Sequence, residues 1–264
     1  MRWFQVHQPL LPRHPFPIFL DTFRPFFIIL PQPMKEEISA NLIEIYGRIA
    51  EACEEYDRDI HDIVLVAVSK RHPASYIQMA VAAGVHNIGE SRIQEAEPKI
   101  AEVGPIARFH MVGHLQTNKV KTAVQVFDVI QSVDSLKLAE EIDRRAGEMD
   151  RVIECLVQVN ISGEQSKYGV PPEQVLELIR QVNALPNIDL TGLMTIGPLT
   201  EDKDEIRAAF ARCRELFKQG QDIVGDDFDQ LSMGMSDDFP LAIAEGSTMI
   251  RIGTAVFGQR PALN

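Results

Sequence analysis

Eight apolar, strand-like runs alternate with seven helical patterns along this chain, and that alternation predicts an α/β protein, a single (β/α)8 barrel of the TIM type. Two further observations favour the closed barrel over a doubly wound open sheet. The repeating part spans about 230 residues, close to the typical barrel length of ≈ 250. No Gly-x-Gly-x-x-Gly follows the first strand, as a dinucleotide-binding open sheet would require.

The elements follow in order from Met34. Residues 1–33 differ in composition: they hold seven of the sixteen prolines, six of the thirteen phenylalanines and the only tryptophan, with Asp21 as their sole acid. Prolines interrupt every apolar stretch there, so neither a spanning helix nor a signal peptide is expected. They read as a disordered or non-native Pro/Phe-rich extension, and residues 34–264 as the barrel domain. The segment 36–56 reads as an extra N-terminal helix, with Ile38, Leu42, Ile45, Ile49 and Cys53 on one face. It is expected to cover the wall where a final helix is missing, because the sequence stops soon after strand eight.

Strands are predicted at 63–69, 86–89, 109–113, 127–131, 152–160, 189–196, 228–233 and 249–253. Helices are predicted near 74–83, 91–102, 117–125, 135–148, 171–184, 202–218 and 237–245. The first strand, Ile63-Val64-Leu65-Val66-Ala67-Val68-Ser69, is β-branched and lacks alternation, as a buried parallel strand does.

Bulk properties narrow the function classes. A formal net charge of -12 argues against nonspecific nucleic-acid or anionic-membrane binding. Cys53, Cys155 and Cys213 form no C-x-x-C pattern and suit a reducing cytoplasm. The seven histidines show no metal-ligand spacing, so no metal site is expected.

Chemistry is expected at the C-terminal mouth of the barrel. Lys70 ends strand one there. Desolvation at such a position disfavours the ammonium, and a neutral amine forms Schiff bases with aldehydes. The bland alternative is a solvated lysine closing a strand. The loops after strands seven and eight are the usual phosphate site. They carry Ser232, Met233, Gly234 and Ser236, then Arg251, Gly253 and Thr254. Alone, these are equally two tight turns with helix caps. Arg251 shares a face with Gly253, and an inward arginine needs an anion or an acceptor. Asn87, His110 and Asn160 are polar residues on apolar strands, each explicable as a satisfied core group. Met194 and Met233 read as apolar walls.

The motifs Val66-Ala67-Val68-Ser69-Lys70, Asn87–Ala96, Phe109–Lys119, Leu231–Ser236 and Arg251–Gly258 together resemble the pyridoxal phosphate homeostasis protein family. The resemblance covers about 35–260 in the family's order and spacing. It implies a barrel related to the N-terminal domain of alanine racemases, with pyridoxal 5′-phosphate held on Lys70 as a Schiff base. It implies phosphate contacts from Ser232, Gly253 and Thr254, and Arg251 facing the pyridine nitrogen. Asn87 and His110 are implied as ring neighbours. His114 lies in a variable family segment and receives no role.

Whether such a protein is an enzyme turns on two features. An arginine at the pyridine nitrogen weakens carbanion stabilisation without abolishing it. The racemases' second domain, with its catalytic tyrosine, is not matched, and only Tyr168 lies near a mouth loop. The expectation is therefore a non-catalytic carrier that stores, buffers or delivers the cofactor to recipient apoenzymes. Lys119, Lys137 and Lys167 are candidate secondary acceptors, each also readable as a surface lysine. The alternative is a racemase or decarboxylase using a base from another subunit. A cofactor-free Schiff-base aldolase would have no need of Arg251. A cytoplasmic monomer is expected.

Overall fold

The computed structural model describes residues 32–259. Most of the proposed N-terminal extension and residues 260–264 lie outside them. Eight parallel strands close into a barrel in sequential order. They are β1 (Val64–Val68), β2 (Asn87–Glu90), β3 (Arg108–Met111), β4 (Val129–Val133), β5 (Ile153–Val159), β6 (Ile188–Thr195), β7 (Gln230–Ser232) and β8 (Met249–Ile252). Between them run α2 (Ala74–Ala82), α3 (Ile93–Val103), α4 (Val120–Val126), α5 (Leu136–Gly147), α6 (Val175–Asn183), α7 (Lys203–Val224) and α8 (Phe239–Ala244).

The leading helix α1 (Gln32–Glu55) begins two residues before the Met34 boundary. It buries Ile38, Leu42, Ile45, Ile49 and Cys53, the face read from their spacing. Its end is marked by Asp57 at φ 51, with Arg58 N–H returning to the Cys53 carbonyl at 2.9 Å, as in a Schellman closure. One expectation is corrected. The final position of the wall is not empty: a single turn, α9 (Thr254–Phe257), follows β8. α1 packs on α9, α8 and α2, and Asn41 Nδ2 donates to the Val256 carbonyl at 3.0 Å. It thus completes a wall to which α9 contributes only one turn.

Alternation sorts each strand into two faces. Outward residues such as Leu65, Ala67, Ile88, Phe109, Ile130, Leu231, Ile250 and Ile252 join one large core with the helices. Inside the barrel, Val129, Leu156 and Met194 form a small separate cluster. Two register shifts change this parity. One falls between Ile130 and Val133 of β4, the other beside Thr191 of β6, where Leu190 opposes Cys155 but Gly192 opposes Leu156.

Candidate functional site

Lys70 follows β1 by two residues and lies at the C-terminal mouth. It lines a cavity of about 220 Å³ with Arg71, Ser91, Arg92 and Glu95. A larger cavity of about 410 Å³ lies at the other end, lined by Arg108, Glu154, Asp189 and Gln230 from the first two positions of their strands. Burial raises the carboxyl pKa values of Glu154 and Asp189 there, and Arg108 is hydrogen-bonded to Glu154. Size alone favours this second cavity. Barrel chemistry is built from the loops at the C-terminal face, so the end of the barrel that carries Lys70 is the candidate site. Of the predicted site residues, Lys70 alone lines the smaller cavity.

A chain of hydrogen bonds crosses the barrel interior beneath the mouth. Arg251, 5% exposed, donates through Nη2 to the Thr195 carbonyl at 2.7 Å and through Nη1 to Ser232 Oγ at 2.7 Å. Ser232 donates to Gln131 Oε1 at 2.7 Å. Gln131 Nε2 donates to His110 Nδ1 at 2.9 Å and to Met249 Sδ at 3.1 Å. His110 Nε2 then lies 3.0 Å from Asn87 Oδ1. With Nδ1 accepting, the proton sits on Nε2, so every donor points from Arg251 towards Asn87.

Electrostatics agree with this direction. Burial pushes the His110 pKa down to about 3, with the Arg108 charge adding to it, so the ring is neutral. Burial also holds the Arg251 guanidinium down to about 10, still protonated at neutral pH. The expected acceptor for Arg251 is a hydroxyl and a carbonyl rather than a core carboxylate.

The structure thus joins Asn87, His110, Ser232 and Arg251 into one network, with Met194 inside the barrel beside Leu156. It separates Met233 from them. That side chain is fully buried in the outer core, because it is one residue out of phase with inward Ser232. It is no wall of the mouth. Asn160 serves its own loop, donating to the Glu164 and Lys167 carbonyls at 2.9 and 3.3 Å. Gly253 caps α9 at Thr254, and a Cβ on Gly253 would sit 3.3 Å from the Val68 carbonyl oxygen. Gly234 turns at φ 95, a left-handed conformation that suits glycine.

Two residues, Gln131 and His114, went unpredicted as site groups, while Lys167, a candidate secondary acceptor, is engaged by its own loops. Gln131 links the two halves of the network. His114 Nδ1 lies 3.4 Å from Asp134 Oδ2, and its ring stacks on Tyr168 with centroids 3.8 Å apart. Lys167 bridges the loops after β5 and β6, donating to Glu164 Oε1 at 2.6 Å and to the Gly197 carbonyl at 2.7 Å.

The family model for the N-terminal domain of alanine racemase matches residues 47–261. A pyridoxal phosphate homeostasis protein of Pseudomonas aeruginosa is 42% identical over 225 residues, 84% of this chain and 96% of that protein. This chain belongs to the pyridoxal phosphate homeostasis protein family. The Escherichia coli K12 member is 38% identical over 229 residues, 85% of this chain and 97% of its own length. Among solved structures, PipY of Synechococcus elongatus with PLP bound superposes with a TM-score of 0.73 at 38% identity, covering 84% of this chain and all (100%) of that one. An alanine racemase of Clostridium difficile, at 19% identity and a TM-score of 0.67, covers 86% of this chain and 57% of its own; it shares the fold.

Proposed function

We propose that this chain binds pyridoxal 5′-phosphate and stores, buffers or delivers it, with Lys70 holding the cofactor as a Schiff base and no strong catalysis. The observation that carries the reading is the placement of Lys70 just past β1, next to β8, on which the buried, protonated Arg251 stands opposite Val66. The family's names and the PLP bound to PipY support it.

The donor set suits such a ligand. Lys70 supplies the amine. The turns at Gly234 and Gly253 bring backbone close to the mouth, and Thr254 adds an exposed hydroxyl for a phosphate. Ser232 reaches a phosphate only by turning its proton away from Gln131, since its oxygen already joins Arg251 and Gln131. Bound, the cofactor supplies an aldehyde and an electron-withdrawing ring. Arg251 has only N–H donors, so beside a pyridine nitrogen it leaves that atom unprotonated and weakens the electron sink. Asn87 and His110 fill the strand-two and strand-three side of the ring pocket in this reading, and Met194 its floor. Met233 contributes backbone alone. Recipient apoenzymes are the partners, in the cytoplasm, and the carrier is a monomer. No described helix is long and apolar enough to cross a membrane.

A second reading, a racemase or decarboxylase, is favoured by one feature, the His114–Asp134 pair at the mouth. A histidine oriented by a carboxylate is a competent proton-transfer group.

An absorbance spectrum before and after borohydride, beside Lys70→Ala, tests the first reading. The expected result is a visible band lost on reduction, with an adduct mapped to Lys70. A colourless protein that takes up no added pyridoxal phosphate refutes it. Exchange of an amino acid's α-proton in D2O, lost in His114→Ala, would instead establish the enzyme.

A further inference from the structure

Both peptide planes flanking Lys70 are held by charged side chains of the β2–α3 segment. On the N-terminal side, Lys99 Nζ donates to the Ser69 carbonyl at 3.0 Å. Ser69 Oγ donates to Glu90 Oε1 at 2.6 Å, and Lys99 Nζ reaches the same oxygen at 2.7 Å. These three groups close a triangle around Ser69. On the C-terminal side, Arg71 N–H donates to Glu95 Oε2 at 3.0 Å. Rotation of those two planes is the only soft backbone freedom that Lys70 has. Fixing both fixes the direction of its Cα–Cβ bond, from which the side chain departs.

The backbone beyond Lys70 is unusual. Arg71 has φ 66, in the left-handed region that long side chains disfavour. Such a conformation persists only where surrounding contacts over-determine it. Glu95 supplies the contact, and its neighbour Arg92 lies 3.5 Å from its other oxygen.

The Glu90–Lys99 pair is also costly. Its side chains are 0% and 12% exposed, and Glu90 Oε2 meets no hydrogen-bond partner. A buried ion pair is poor evidence of stabilisation and better evidence of geometric specification. Here the geometry it specifies is the end of β1.

We infer that Glu90, Lys99 and Glu95 are positioning residues for the Lys70 amine, pinning the backbone on both sides so that its side chain enters the mouth in one direction. This rests on the proposed role of Lys70. An amine adding to an aldehyde must approach along a narrow path, so loss of the pinning slows and weakens capture.

The test uses Glu95→Ala and Lys99→Met, with Glu95→Gln and Lys99→Arg as conservative partners. Competitive acetylation of Lys70 across pH in the cofactor-free protein, read by mass spectrometry, reports the amine directly. Absorbance titration with pyridoxal phosphate reports capture. Glu95→Ala and Lys99→Met are expected to shift the acetylation profile and weaken uptake about tenfold. Glu95→Gln and Lys99→Arg keep an acceptor or a donor and return both readouts towards the parent. A Glu95→Ala protein with the parent's melting temperature, acetylation profile and uptake overturns the inference. Glu95 is part-exposed at the start of α3, so that variant carries the test even where Lys99→Met fails to fold. A parent that takes up no pyridoxal phosphate sinks the proposed function instead, and the acetylation profiles then judge the positioning alone.

Discussion

Arg251 enters the barrel without a carboxylate at salt-bridge distance among the described residues; its two hydrogen bonds end on Ser232 and Thr195. The donor chain that it starts finishes on Asn87, and a chain running one way fixes the His110 tautomer. His110, with a pKa near 3, is expected to stay neutral from pH 8 to pH 5. Its 15N shifts should then stay flat, with the proton on Nε2; a titration midpoint near 6.5 would contradict the burial argument. The stability consequence has a definite sign. The unfolded chain binds this proton at a higher pH than the folded one. Stability is therefore lost as pH falls from about 6.5 towards 3, at roughly 1.4 kcal/mol per pH unit, and returns as pH rises. Lys70 and Ser232 were legible as candidates from their place at the strand ends of the mouth, and Arg251 because an inward arginine needs an acceptor. Asn87 and His110 were legible only through the family resemblance, since a polar residue on an apolar strand reads equally as a satisfied core group. Gln131 was not. Standing at the end of the predicted run 127–131, it reads as the point where the strand leaves the core, and only the partners on β3, β7 and β8 show otherwise.

The strands were legible as elements, but their faces were only partly so. β4 and β6 each carry a register shift, and a shift exchanges inside for outside beyond it. In β6, Asp189 and Thr191 line the lower cavity while Met194 joins the interior cluster, an odd spacing that strict alternation forbids. Gly192 sits at this shift. A Cβ there would come within 1.7 Å of the Gln230 carbonyl oxygen, so the adjacent β7 backbone must move. Gly192→Ala is expected to cost on the order of 3 kcal/mol or more in urea unfolding, or to prevent folding. A value under about 0.5 kcal/mol would mean that the contact relaxes freely. Met233 shows the same principle: one step along β7 separates the interior from the helix layer. The boundaries of α6 shifted for a simpler reason. Residues 172–174 form a 3-10 turn after Pro171, and the α-helix proper starts at Val175.

At the scale of the molecule, α1 works as a wall panel. Leu42 is 2% exposed and its neighbour Ile43 is 74% exposed. Leu42→Ala should lower unfolding free energy by about 2–5 kcal/mol, and Ile43→Ala by under about 0.5. Equal effects in a paired denaturation series would show that α1 does not belong to the barrel's core. The eight-unit architecture and α1's inward face were legible because hydrophobic periodicity survives in single elements. The turn of α9 was not, since Thr254-Ala255-Val256-Phe257 is too short to carry a period.

A closed ring of strands resembles a hoop, and a hoop has a clasp. The register between β7 and β8 consists of Ser232 opposite Met249. Across that join, the hydroxyl of Ser247 stands 3.2, 2.8 and 3.0 Å from the carbonyls of Leu231, Met233 and Met249. One buried hydroxyl thus braces this short join, beside the backbone bonds from Thr248 N–H to Leu231, Met233 N–H to Met249 and Arg251 N–H to Gly234, each 3.0 Å. The turns at Gly234 and Gly253 follow the two strands of that join, so a ligand held by both would lie across it: filling the mouth and bracing the join would be one event.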